Sequence, residues 1–126
     1  MTRKHAIRDA EAHIVVSHGA DFIGEDRHIL KSVVALAPYV TNAFSWNDRK
    51  TIAPLVQFLE EPAARTIPAT QAAVLAEQLL KVSRSRGLQP KVSALARALA
   101  DAAARAGADG EPWEWRIESE TIASSI

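Results

Sequence analysis

At 126 residues the chain has material for one domain with a modest core. Apolar residues at 48% and charged residues at 24% exclude wholesale disorder, while fifteen basic and fifteen acidic residues leave no net charge to draw it to nucleic acid or anionic membrane. With no cysteine there is no disulfide framework, thiol nucleophile or thiolate zinc site.

Residues 1–12 are polar, with Arg3, Lys4, Arg8, Asp9 and Glu11, and read as a flexible N-terminal arm. The apolar run after them is too short for a secretory core, and nothing approaches the ~20 apolar residues that span a bilayer. The expectation is a cytoplasmic protein with no membrane partner. Residues 13–17 predict a first strand, since Ile14, Val15 and Val16 are β-branched and a glycine follows shortly. The loop after it holds His18, Asp21, Glu25 and Asp26, with Gly19 and Gly24 for turn geometry and Phe22 with Ile23 as an apolar plug. Asp26 is placed to cap the next helix, where Ile29, Leu30, Val33, Val34 and Ala37 recur at helical spacing. Pro38 interrupts that helix, leaving "PYVTNAF" as a kinked extension or a separate turn.

The second helical segment buries Ile52, Leu55, Val56 and Leu59 and closes at Pro62; Pro54 falls in its opening turn if the regular part begins near Thr51. The third runs through Leu75, Leu79 and Val82, capped by Thr66 or Thr70, with Gly87 as its left-handed exit. A fourth opens at Pro90, buries Val92, Leu95, Ala96, Leu99 and Ala103, and stops at Gly107. The period then changes to two: Trp113, Trp115 and Ile117 alternate with Glu114, Arg116 and Glu118, which predicts a strand with one buried face. Residues 119–126 read as a flexible tail. The predicted fold is α+β and mainly helical, a single domain over 13–118. Its N-terminal and C-terminal strands pair, because a lone strand leaves its backbone groups unsatisfied. A short third strand over 65–67 extends the sheet.

Three constellations bear on function. His18, Asp21 and His28 offer metal-ligand chemistry beside a strand end, but no ligand spacing supports it, and a turn that feeds a helix accounts for the same residues. Lys81, Arg84, Arg86, Lys91 and Arg97 form an acid-free basic stretch that could meet phosphates. Against that, the helix that follows is rich in alanine and leucine, and basic residues suit a helix C-terminus in any case. Ser17 and His18 are neighbours on a strand and point to opposite faces, so they make no nucleophile pair. Trp46 and Phe22 are the interaction candidates. No catalytic set and no cofactor motif is legible.

The segments "VVSHGADFIGED", "RTIPATQAAVLAEQLL" and "DGEPWEWRIE" resemble a family of small uncharacterised proteins from Streptomyces-like actinobacteria. There a Ser-His-Gly strand end and a closing Trp-Glu-Trp strand recur, and Ile23 departs from the aromatic expected at its position. The resemblance implies a single domain and brings no activity with it. The expectation drawn from the residues is a non-enzymatic protein-binding or regulatory module, with possible self-association. Nucleic-acid binding through residues 81–97 is the alternative, and a metal-dependent enzyme built on residues 18–28 a lesser one.

Overall fold

The computed structural model describes residues 12–18 and 25–119. The elements run β1 (Ala12–His18), β2 (Asp26–Ile29), α1 (Leu30–Ala43), a 3-10 turn at Trp46–Asp48, α2 (Arg49–Glu60), β3 (Arg65–Ile67), α3 (Ala69–Ser83), α4 (Pro90–Asp109) and β4 (Trp113–Ser119). This is an α+β, mainly helical fold, and its two terminal strands do pair. Ile14 lies opposite Ile117 and Val16 opposite Trp115 in an antiparallel register. Among the described residues the sheet has four strands in the order β2-β1-β4-β3, every neighbour antiparallel, with Arg65–Ile67 as the expected short edge strand.

One face of the sheet meets the helices. Ile14, Val16, Ile67, Trp113 and Trp115 join Val33, Leu55, Leu75, Leu79, Leu99 and the alanines of α4 in a continuous buried cluster. The two indoles stand edge to face with ring centres 5.3 Å apart, and Phe58 meets Trp115 edgewise at 6.2 Å. Arg65, opposite Trp115 in the register, lays its guanidinium 4.2 Å from the Phe58 ring centre. Alanine at positions 96, 100, 103 and 106 lets α4 lie close to α3. Ser93 donates to the Ser83 carbonyl at 2.7 Å near one end of that pair, and Gly107 abuts Ala73 near the other. The two helices are therefore an antiparallel hairpin.

The opposite face carries no described helix. Val15 is buried there, flanked by Arg27 and Arg116, whose stems are long enough to shield it. Above it Arg27 pairs with Glu118, and Arg116 reaches Glu118 at 3.0 Å and Glu25 at 3.5 Å. Hydrogen bonds and charge from Arg116 first, with Arg27, hold the Glu118 carboxyl below its ordinary range. These pairs are solvent-exposed, so they set the pattern of the face more than its stability.

Several local expectations need correction. Asp26 does not cap a helix: it opens β2, pairing with Val16, and Ile29 occupies the cap position of α1 without a side-chain bond. Pairing with β1 holds residues 26–29 extended, so the helix begins only after them. Pro38 and Pro54 both sit inside helices, the first inside a single α1 that runs to Ala43. Each forfeits one backbone bond on an exposed side. Thr66 belongs to β3 and Thr70 lies inside α3, whose cap residue is Pro68. Gly87 does take a left-handed φ of 80°, but Gly107 is not an exit. The last helix continues to Asp109 and leaves through Gly110 at φ 69°. The plug assigned to Phe22 and Ile23 lies outside the described residues.

Candidate functional site: a cleft beside His28

The α1 helix follows β2 directly, and α4 opens with Pro90 after Gln89. These junctions lie together and leave a cleft of about 560 Å³ between them. Its apolar lining comes from Leu36 and Ala35 of α1 and from Val92, Ala94 and Leu95 of α4. Ser32, Gln89, Lys91 and Arg27 add polar groups, and among the described residues no carboxylate lines it. Helical spacing explains the composition, since Ser32, Ala35 and Leu36 share one side of α1. A volume in this range, mostly apolar with few polar groups, is what ligand sites offer.

His28 is the chemical centre of the cleft. By register it sits opposite Ile14, on the helix-facing side of the sheet. Its Nε2 is buried and has no hydrogen-bond partner. Burial pushes its pKa below the usual histidine value, and the nearby Asp26 carboxylate opposes that shift. Burial thus favours the neutral ring, and His28 is one of the residues that line the recess. Lowering a histidine pKa on folding means that the unfolded chain takes up the proton first. Stability from this group is whole above about pH 6.5, the ordinary value, and is lost as pH falls through the folded pKa. Urea unfolding measured between pH 7.5 and 5 should show this loss in the native chain. The loss should be smaller in His28→Gln, and an identical pH profile in both would refute the assignment.

The other sequence candidates are dispersed. His28 and His18 stand at opposite ends of the β1–β2 pair: His18 lies four residues beyond Ile14, roughly 13 Å along the strand. Asp21 and Phe22 lie outside the described residues, and among the described residues no group of three His, Asp or Glu converges as a metal site. Lys81 lies over the Phe44 ring at 4.7 Å, Arg84 follows the end of α3, and Arg86 is exposed in the turn after it. Lys91 borders the cleft, while Arg97 pairs with Asp101 at 3.3 Å. Six residues of helix separate Lys91 from Arg97, which turns them about 120° apart around α4. A helix-turn-helix crosses its helices at about 90–120°, unlike the side-by-side hairpin of α3 and α4. Trp46 is 76% exposed, with Arg49 stacked 4.6 Å from its ring centre.

Sequence reasoning named His28 only as a ligand candidate and missed the cleft. Val92 and Leu95 read as core, which they partly are, and nothing local shows that α1 and α4 leave a gap between them. Residues 26–29 read Asp-Arg-His-Ile, with no polar–apolar alternation, so no local pattern signals β2.

Among the described residues no helix is long and apolar enough to cross a membrane. No curated protein and no solved structure matches the chain. Residues 19–116 do match a family model, a span that starts after β1 and takes in the cleft and the helices α1 to α4. The chain belongs to the family described as a domain of unknown function, DUF7739.

Proposed function

We propose that this chain is a protein-binding regulatory module, of the accessory-subunit or inhibitor type, and that it binds its partner at the His28 cleft. The observation that carries the reading is the mostly apolar recess of about 560 Å³ between α1 and α4, which His28 helps to line. Apolar lining supplies affinity, and the few polar groups, Ser32, Gln89 and Lys91 among them, supply orientation. An actinobacterial, Streptomyces-type source, suggested by Ser17-His18-Gly19 and Trp113-Glu114-Trp115, and a cytoplasmic setting belong to the same proposal.

A photo-crosslinking residue placed at Ala94, in the cleft, and at Lys50, on exposed α2 away from it, tests this in native-host cells. The expected result is one discrete protein adduct from position 94 and none from position 50. No adduct at 94, or the same set from both positions, would overturn it.

A further inference from the structure

The β2 strand is an edge strand, and among the described residues its outer side has no pairing partner. Three consecutive β2 residues, Arg27, His28 and Ile29, line the cleft. Their side chains alternate between the two faces of the sheet, so all three can border one recess only where it reaches the free edge. Cleft and unpaired backbone are therefore a single surface.

From this we infer that the occupant is an extended segment of the partner, added as a fifth strand to the outer edge of β2. The inference rests on the reading of the cleft as the binding site and specifies how that site is filled. An extended chain places every second side chain on the same face, so the residue opposite His28 enters the apolar recess beside Leu36, Val92 and Leu95. The charge lining the cleft selects the flanks. Lys91 is the cation left to the cleft, since the Arg27 guanidinium is turned to Glu118, and among the described residues no carboxylate accompanies it there. The segment is accordingly an apolar residue set among acidic ones. A helical occupant would leave the edge N–H and C=O groups of β2 unused.

Selection of linear ten-residue peptides from a random display library against the full chain tests the geometry. The enriched peptides should carry an apolar residue flanked by Asp or Glu, and should not bind Ala94→Trp, which fills the recess from an exposed α4 position. N-methylation along the best peptide should weaken binding about tenfold or more at alternate positions only, because one side of a strand donates to the edge. Amide exchange in β2 should slow on binding. Uniform tolerance of N-methylation with unprotected β2 amides would overturn strand addition while leaving the cleft as a binding site. Enrichment of the same peptides by Ala94→Trp would overturn both.

Discussion

Trp113→Ala is expected to lower the unfolding free energy by about 3–5 kcal/mol, a large part of the 5–15 kcal/mol that holds a typical domain together. Trp113 is fully buried, opposite both Ile67 and His18 in the sheet, so it anchors β4 to strands on either side. Removing it also takes away the edge-to-face partner of Trp115. The cavity it leaves is bounded by backbone on the strand side, which limits collapse. Trp113→Phe should cost much less, under about 1.5 kcal/mol, for a specific reason. The indole Nε1 is buried with no partner, so phenylalanine deletes an unsatisfied donor while it keeps a ring against Trp115. Urea unfolding followed by circular dichroism measures both. Equal losses for alanine and phenylalanine would show that the ring contact is not the stabilising element.

Gly107→Leu is expected to destabilise by about 1–3 kcal/mol, although leucine is the far better helix former. Propensity alone favours the substitution by close to ~1 kcal/mol. Sterics win because a Cβ at position 107 would lie 3.0 Å from Ala73 Cβ and only 3.2 and 3.3 Å from its Cα and N. Those last two atoms are backbone of α3 and can yield only if the helix shifts. Gly107→Ala meets the same atoms with no further reach, so its loss should be the smaller of the two. Ala73→Gly should recover part of the leucine penalty, and a double-mutant cycle on thermal or urea unfolding reads that coupling. Full additivity of the two substitutions would mean that the helices do not meet at this point.

The same glycine shows where sequence reading succeeds and where it fails. A glycine late in an alanine-rich helix reads as its stop, since glycine commonly takes the left-handed exit position. That role belongs to Gly110, three residues on, and Gly107 is present because α3 passes too close for a side chain. Both uses of glycine look identical along the chain; only the neighbouring helix separates them. Asp26 failed for a related reason. Its suitability as a cap is local, whereas its pairing with Val16 depends on a strand ten residues earlier. Gln78 is a third case: it lies on the buried side of α3 and donates to the Thr51 carbonyl of α2 at 3.2 Å, a partner no local pattern names.

What the amino-acid order determined by itself was whatever depends on periodicity and punctuation. The Trp113-Glu114-Trp115 alternation specified a half-buried strand, four apolar stripes specified four helices, and the need to satisfy strand backbone brought the two chain ends together. Tertiary structure decided everything that depends on the space between elements. The closeness of α3 and α4, the fourth strand on the free side of β1, and the recess that His28 helps to line all belong to it. The physical reason is that a side chain's periodicity says which way it faces, but a cavity or a close contact is set by how far away the opposing surface stands, and that distance is written in no single segment of the chain.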